Sequence, residues 1–176
     1  DTTSALGQLA HMKRELLNGP LIAITGSSGK TSVKEMIASV LGQESKVHAT
    51  EGNLNNHIGV PLTLLSMPTD TDFAVIEMGA SAIGEIAYLC DIARPDVTLV
   101  NNVQHAHIEG FGSIEGVATA KSEIYIGLKP SGTAVINLYL GWSDAWLTEF
   151  SDKQCLTFST EQNNADVVAE NICVLD

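Results

Sequence analysis

The chain has 176 residues, enough for one ordinary globular domain and too few for two of comfortable size. Hydrophobic residues make up 44% of it, which supplies a core and excludes an intrinsically disordered chain. Acidic residues outnumber basic ones by 21 to 9, giving a net charge of −12, which argues against nucleic-acid binding by a basic surface. With Arg14 and Arg94 as the only arginines, phosphate binding must use backbone N–H groups, lysines or metal ions.

Cysteine usage and hydropathy bear on the compartment. Cys90, Cys155 and Cys173 are odd in number and lack CxxC spacing, which excludes a disulfide framework and a zinc site and favours a reducing cytoplasm. No apolar run approaches the ~20 residues of a membrane span, and no signal peptide is visible. The chain begins with Asp1 rather than Met, so we expect it to be part of a longer protein.

Apolar strands alternate with helices along the chain. A predicted helix over 5–17 stops at Asn18-Gly19-Pro20, and a buried strand over 21–25 leads through a glycine-containing turn into a second helix. We expect that helix to end at Gly42 and to pack through the apolar stripe Val33, Met36, Ile37, Val40 and Leu41. Further on we predict strands at 46–50, 73–79, 97–103 and 133–138, helices at 82–93, 114–128 and around 142–150, polar loops at 51–61 and 104–113, and strand-like runs at 155–159 and 167–175.

This alternation predicts an α/β domain with a mainly parallel sheet flanked by helices. In such sheets, ligands bind at the carboxyl ends of the strands. Polar residues follow the predicted strands at that place, namely the segment 26–30, Glu77, Asn101, Asn102 and His107. We therefore expect the functional site at this edge of the sheet.

The segment Gly26-Ser27-Ser28-Gly29-Lys30-Thr31 joins a predicted strand to a helix N-terminus. Glycines let the backbone wrap closely around a phosphate, and the helix end supplies free N–H groups and a positive dipole end. Lys30 can reach terminal phosphates, and the Thr31 hydroxyl can ligate Mg²⁺. The general P-loop places a glycine where Ile24 stands, so an ordinary strand-to-helix turn is the alternative.

Three further places carry candidate chemistry. Glu77 can hold Mg²⁺ directly or through water, and the alternative is a solvent-exposed acid at a strand end. His107 can bind a metal or orient a reacting group, but His105 is equally placed, and a solvated loop histidine is the alternative for both. The segment GNLNN (52–56) suits contacts to phosphate or carboxylate groups, and it equally suits ordinary turn chemistry.

Lys121 lies on the inward face of an otherwise apolar helix. The stripe to which it belongs is Ile114, Val117, Ala118, Lys121, Ile124, Tyr125 and Leu128. One interpretation is a snorkelling lysine, with its stem packed and its ammonium in water. The other is a functional lysine, with a lowered pKa or a covalent modification.

These residues resemble a known family. The ordered motifs TGSSGKTSVKEM, GNLNNxIGVP, VIEMGA, GEIA, RPDVTLVNN, AHIEGFGS and AKSEI closely resemble the central ATPase domain of the Mur ligases, from about Leu6 to Ile136. The shortened TGxxGKT loop is the form that this family uses. The GNLNN…GVP and HxEGFGS segments are most similar to the MurF type, the ligases that add D-Ala-D-Ala.

The resemblance implies an ATP-dependent, ADP-forming amide ligase of peptidoglycan precursor synthesis in the bacterial cytoplasm. In this family the carboxylate of UDP-MurNAc-tripeptide attacks the γ-phosphate of ATP to give an acyl phosphate, and the amine of D-Ala-D-Ala then expels phosphate. Because two anions must meet, the charge has to be neutralised by Mg²⁺ and lysine. The implied cofactors are therefore ATP and two Mg²⁺ ions, and no nucleic acid or membrane span is implied.

The family's roles carry over to matching positions. Lys30 and the loop residues Gly26, Ser27, Ser28, Gly29, Thr31 and Ser32 would hold the phosphates, with Asn55 and Asn56 as nucleotide or acyl-phosphate contacts. Thr31 and Glu77 would hold one Mg²⁺. His107 aligns with the histidine of the second metal, and Lys121 aligns with the lysine that is carbamylated in this family. Lys30, His107 and Lys121 are the implied catalytic residues.

Two segments depart from the family pattern, and several family parts have no counterpart. Leu138-Tyr139-Leu140 stand where an Ala-Asp-Asn-like segment is usual, and Ser81-Ala82-Ile83 stand where Asn-His-Gln is frequent. We expect residues 1–176 to be the central domain, incomplete at its C-terminal end, with 1–19 as a helix and linker leading into it. The UDP-sugar-binding N-terminal domain and the C-terminal Rossmann-like domain are absent, so we expect this piece alone to be inactive.

Two other interpretations remain open. The first is a sibling amide ligase, either another Mur enzyme or a folylpolyglutamate synthetase-like enzyme. The second is a non-catalytic nucleotide-binding module, which would bind ATP without needing Lys121.

Overall fold

A computed structural model describes residues 1–105, 108–161, 164–171 and 173. Its strands are β1 (Leu21–Thr25), β2 (Val47–Ala49), β3 (Phe73–Glu77), β4 (Val97–Val100), β5 (Thr133–Asn137), β6 (Gln154–Ser159) and β7 (Val167–Val168). Its helices are α1 (Thr2–Arg14), α2 (Lys30–Leu41), α3 (Gly59–Ser66), α4 (Glu85–Ala93), α5 (Ile108–Phe111), α6 (Ile114–Ile126) and α7 (Ser143–Glu149).

The strands of the described residues form one parallel sheet in the order β2-β3-β1-β4-β5-β6-β7. From β1 the chain crosses to the edge strand β2, returns to β3 between β2 and β1, and then continues on the other side of β1 with β4. The order of the strands therefore reverses beside β1, which is where open α/β sheets bind their ligands. The predicted α/β class with a parallel sheet flanked by helices is confirmed.

The two faces of the sheet are covered unequally. The main core lies on one face and includes Leu21, Ala23, Leu64, Ile76 and Tyr125. A smaller cluster lies on the other face, where α2 packs Val33, Ile37 and Leu41 against Ile24, Val75 and Leu99. This unequal covering determines which side chains of α2 are buried.

The predicted packing stripe of α2 is wrong in part. Met36 is 67% exposed and Val40 is 73% exposed, whereas Lys34 is 1% exposed. The helix is rotated so that Lys34 faces the end of β2, where the Thr50 carbonyl accepts its hydrogen bond. A buried carbonyl needs a donor, and that requirement outweighs the burial of two apolar side chains.

Some element boundaries differ from the prediction because distant or side-chain contacts set them. The helix α3 begins inside the segment expected to be a polar loop, since Oδ1 of Asn56 accepts from the N–H groups of Ile58 and Gly59. The helix α4 begins at Glu85 rather than at 82, because the Glu123 carboxylate accepts from the Gly84 N–H at 2.6 Å. Neither contact follows from hydrophobic periodicity.

The helix α1 is attached to the sheet through Asp96. Its carboxylate accepts from Nη2 of Arg14 at 2.8 Å, from Nζ of Lys129 at 2.9 Å and from the Leu21 N–H at 2.9 Å. Two cations and the first residue of β1 thus meet at one acid.

Among the residues that the structure describes, no helix combines the length and the apolar character that crossing a membrane requires.

Candidate functional site

A cavity of about 330 Å³ opens at the carboxyl ends of β1 and β3. Of the predicted site residues, those lining it are Gly26, Ser27, Lys30, Asn55, Asn56 and Lys121. Ser28, Gly29, Thr31, Ser32 and Glu77 are not part of its lining, although Thr31 and Glu77 are bonded to each other beside it. His107 lies outside the described residues, and His105 is exposed.

The segment 26–31 leaves the N-terminus of α2 free for a ligand. Gly29 is the N-cap, with φ of 70°, and within the described chain no side chain caps the helix. The left-handed backbone at this position favours glycine, and a Cβ there would lie 2.9 Å from Nδ2 of Asn101, so that the Asn101 side chain would have to shift. Uncapped N–H groups at the positive end of a helix dipole form an anion-binding site.

The loop is held in place by residues that follow β4. The Ser28 N–H donates to Oδ1 of Asn102 at 2.9 Å, and the Ser28 carbonyl accepts from Nδ2 of Asn101 and of Asn102. Ser27 exchanges hydrogen bonds with the backbone of Gln104, whose side-chain oxygen accepts from the Ser28 hydroxyl. The loop conformation is therefore fixed before any ligand binds.

Lys30 and Lys121 place two amines at the cavity. Nζ of Lys30 donates to the carbonyl of Gly26 at 3.0 Å, folded back over its own loop. Lys121 is 4% exposed, which does not fit a snorkelling ammonium in water. Burial, and then the nearby charge of Lys30, lower the pKa of Lys121 to about 8.

Glu77 is 2% exposed and has a partner on each carboxylate oxygen. Oε2 accepts from the Thr31 hydroxyl at 2.8 Å, and Oε1 accepts from Nδ2 of Asn55 at 2.8 Å. The alternative of a solvent-exposed acid at a strand end is therefore wrong. Hydroxyl and carboxylate oxygens are ligands that suit Mg²⁺, which usually takes one or two carboxylates together with phosphates and water.

The described residues contain no group of three or more histidine, cysteine or carboxylate side chains placed to hold a metal ion. A metal here would take ligands from Glu77, Thr31, a bound phosphate and water, so the residues fit a nucleotide-bound Mg²⁺ rather than an all-protein cage. A further carboxylate arises only if Lys121 is carbamylated.

The side chains of Asn55 and Asn56 make different contacts, one with the acid of the site and one with a helix start. The side chain of Asn55 donates to Glu77 and lines the cavity. Oδ1 of Asn56 accepts from two N–H groups at the start of α3, so Asn56 serves the turn while also lining the cavity.

Sequence reasoning missed several residues at the cavity. Its lining also includes His57, Gly79, Ala80, Ser81, Glu85 and Phe111. Oε2 of Glu85 accepts from the N–H groups of Ser81 and Ala82 at 2.6 and 3.2 Å, so it shapes the segment that departs from the family pattern. The acid at the start of a predicted helix was the available signal for Glu85.

Known proteins resemble this chain in sequence over most of its length. A family profile described as the Mur ligase middle domain matches residues 24–174. The chain is 47% identical to UDP-N-acetylmuramoyl-tripeptide–D-alanyl-D-alanine ligase of Escherichia coli K12, over 99% of the chain and 38% of that protein. It is 45% identical to the ligase of that name from Bacillus subtilis 168, over 93% of the chain and 35% of that protein.

Solved structures show the same relationship. MurF from Acinetobacter baumannii matches with a TM-score of 0.94 and 39% identity, over 99% of this chain and 38% of that one. MurF from Thermotoga maritima in complex with ADP matches with a TM-score of 0.82 and 35% identity, over 92% of this chain and 38% of that one. FPGS of L. casei, at 16% identity and a TM-score of 0.63, shares the fold alone.

The chain thus spans 38% of the length of the E. coli relative. The residues matched by the family profile include the segment 26–31, Glu77 and Lys121. The chain belongs to the Mur ligase middle domain family.

Proposed function

We propose that this chain is the ATP-binding domain of an ADP-forming ligase that adds D-Ala-D-Ala to UDP-MurNAc-tripeptide in the bacterial cytoplasm. One observation carries the proposal: the uncapped N-terminus of α2 meets a buried carboxylate, through the Thr31–Glu77 bond, in a chain 47% identical to such a ligase. The parts that bind the UDP-sugar and close over the nucleotide belong to other domains of a longer protein.

The phosphates of ATP bind at the N-terminus of α2. The backbone N–H groups of the loop 26–31 donate to their oxygens, and Ser32 lies next along the helix. Lys30 leaves the Gly26 carbonyl and contacts the terminal phosphates, where its charge offsets the repulsion of an incoming carboxylate. Reducing the repulsion between the phosphates and the incoming carboxylate is the main electrostatic requirement of the site.

Thr31 and Glu77 would hold one Mg²⁺ ion, which supplies charge neutralisation for phosphoryl transfer. The shared hydrogen bond shows that their oxygens already lie together, at 2.8 Å. Asn55 keeps the second carboxylate oxygen oriented, and with Asn56 it is placed to contact the nucleotide or the acyl phosphate.

Lys121 is placed to become a metal ligand. A neutral amine adds to CO₂ with loss of one proton and gives a carbamate, and the lowered pKa of Lys121 enlarges the neutral fraction. The modification replaces a cation beside Lys30 with an anion. Together with His107, that anion would hold a second Mg²⁺.

The reaction then proceeds in two steps, phosphoryl transfer and amide formation. The tripeptide carboxylate attacks the γ-phosphorus, releasing ADP and forming an acyl phosphate. The amine of D-Ala-D-Ala attacks the acyl carbon, loses a proton and expels inorganic phosphate. Lys30 stabilises the charge that develops on the transferred group.

Phosphate release by the longer protein that contains this chain tests the proposal. We expect release to require ATP, UDP-MurNAc-tripeptide and D-Ala-D-Ala together, and the 176-residue chain alone to give none. Turnover with a folate and glutamate instead would favour a folylpolyglutamate-type ligase. Normal activity after Lys121→Ala would contradict the carbamate role, and ATP binding that survives Lys121→Ala without any phosphate release would favour a non-catalytic nucleotide-binding module.

A further inference from the structure

Lys34 is a buried cation that the proposed chemistry does not use. It is 1% exposed and is the single buried residue of α2, a helix described along its whole length. Lysine is almost never fully buried unless its ammonium is paired, because removing the charge from water is costly. Its partners therefore indicate what it does.

The ammonium of Lys34 has one partner inside the protein and one at the surface. Nζ donates to the carbonyl of Thr50 at 2.6 Å, in a buried contact. It also lies 2.6 Å from Oε1 of Glu35, whose side chain is 67% exposed. Lys34 could pair with the exposed Glu35 carboxylate without being buried. The contact with the Thr50 carbonyl therefore explains why the Lys34 side chain points inward.

Thr50 in turn fixes the backbone beside Glu77. It is 1% exposed and stands directly after β2. Its N–H donates to the carbonyl of Val75 at 3.0 Å, and its hydroxyl accepts from the Glu77 N–H at 2.9 Å. Thr50 therefore holds the backbone of the last residues of β3, including that of Glu77.

Two links consequently join α2 to Glu77. Thr31 contacts the carboxylate directly, and Lys34 reaches the backbone of the same residue through Thr50. Lys34 stands four residues after Lys30, on the same face of the helix. The helix that presents the phosphate-binding lysine thus also fixes the acid opposite it.

We propose that Lys34 is a positioning residue for this site, which holds Thr50 against α2 so that the Glu77 carboxylate keeps its place beside Thr31. The inference rests on the proposed function, in which Glu77 holds the Mg²⁺ of the bound nucleotide. A methionine at position 34 fills a similar volume but donates no hydrogen bond, so the link from α2 through Thr50 to the backbone of Glu77 is lost.

Titration of Mg²⁺ into the longer protein that contains this chain, at saturating ADP and followed by calorimetry, tests this role. Lys34→Met and Thr50→Val should each raise the Mg²⁺ concentration for half-saturation about tenfold, as expected when a residue behind a metal ligand is lost. The double variant should resemble the single ones, because both act on one chain of contacts. Lys46→Met, at a lysine whose side chain is 68% exposed, is the matched control and should match the wild type.

A second readout separates positioning from stability. ADP binding without metal should change less than about threefold in Lys34→Met, because the loop 26–31 still holds the phosphates. If the Met variant does not fold, Lys34→Arg should restore Mg²⁺ binding, and Thr50→Val alone should still show the loss. Equal losses with and without metal, or an unchanged Thr50→Val, would overturn the positioning role. If the longer protein with the wild-type sequence bound no Mg²⁺–ADP, the proposed function would be overturned as well.

Discussion

The Thr31 hydroxyl donates a hydrogen bond of 2.8 Å to Oε2 of Glu77, and this bond joins the first turn of α2 to the end of β3. The two residues are far apart in the sequence, and the parallel pairing of β1 with β3 brings them together. A hydroxyl and a carboxylate in contact at the uncapped N-terminus of a helix are oxygen ligands that suit a Mg²⁺ ion together with a phosphate. The contact between Thr31 and Glu77 is therefore a consequence of the strand order in the sheet.

Glu77→Gln should weaken binding of Mg²⁺–ADP to the chain about tenfold or more, because an amide is a poor ligand for a hard cation. Binding of ADP in the presence of a chelator should change little, since the phosphate loop is intact. Calorimetry with and without Mg²⁺ measures both. Glu149→Gln, at an exposed acid of α7, is the control. A loss of the same size without metal would show that Glu77 supports the loop instead.

Asn102→Ala should loosen the phosphate loop. The change removes three hydrogen bonds to Ser28, of which two involve its backbone N–H and carbonyl. Because these contacts are exposed, we expect the free energy of unfolding to fall by only about 1–2 kcal/mol, with a clear loss of ADP affinity both with and without metal. Urea unfolding and calorimetry check the two effects. Asn164→Ala, at an exposed position, should change neither.

Glu123→Gln should destabilise the start of α4. Both oxygens of this buried carboxylate accept backbone hydrogen bonds, from Gly84 at 2.6 Å and from Ala87 at 3.0 Å. The glutamine amide keeps one oxygen acceptor and replaces the other with an NH₂ donor, so the N–H of either Gly84 or Ala87 faces a donor. We expect the free energy of unfolding to fall by about 1–3 kcal/mol. Urea unfolding against the exposed Glu44→Gln control measures it. Equal midpoints would contradict the capping role.

The regular parts of this fold follow from the sequence because they depend on short-range patterns. Continuous apolar runs predict β1, β3 and β4. A glycine-containing turn before a periodic helix predicts the loop 26–31 and α2. The strand ends then placed Glu77 at the edge of the sheet where Lys30 lies. These steps need no knowledge of distant contacts.

The missed features depend on contacts between distant segments. Periodicity assigned Val40 to the packed face of α2, but one face of the sheet is thinly covered, and a carbonyl at Thr50 draws Lys34 inward instead. Likewise the start of α4 is set by Glu123, 39 residues from Gly84. Buried polar partners of this kind leave no periodic signal in a single sequence.

The stability of the chain should rise with pH because of Lys121. Burial and the charge of Lys30 lower its pKa from 10.5 to about 8 in the folded state. The unfolded state therefore binds more protons between these two values, so stability increases across that pH window and is lower by roughly 3 kcal/mol below it. Lys121→Met should remove this slope and stabilise the chain at neutral pH. Urea unfolding across the window measures it, and an unchanged slope in the variant would contradict the assignment.

Lys121 should also form a carbamate when bicarbonate is present. Carbon-13 spectra of the chain in ¹³C-bicarbonate should show a carbamate signal that grows as the pH approaches about 8, because only the neutral amine adds CO₂ and that is where its fraction rises. Mg²⁺ with ADP should strengthen the signal, since a metal would bind the new anion and shift the equilibrium toward it. Lys121→Gln should abolish the signal, whereas Lys153→Gln, on a lysine outside the cavity lining, should keep it. A signal that persists in Lys121→Gln would assign the modification to another amine, and it would leave Lys121 as a buried cation beside Lys30.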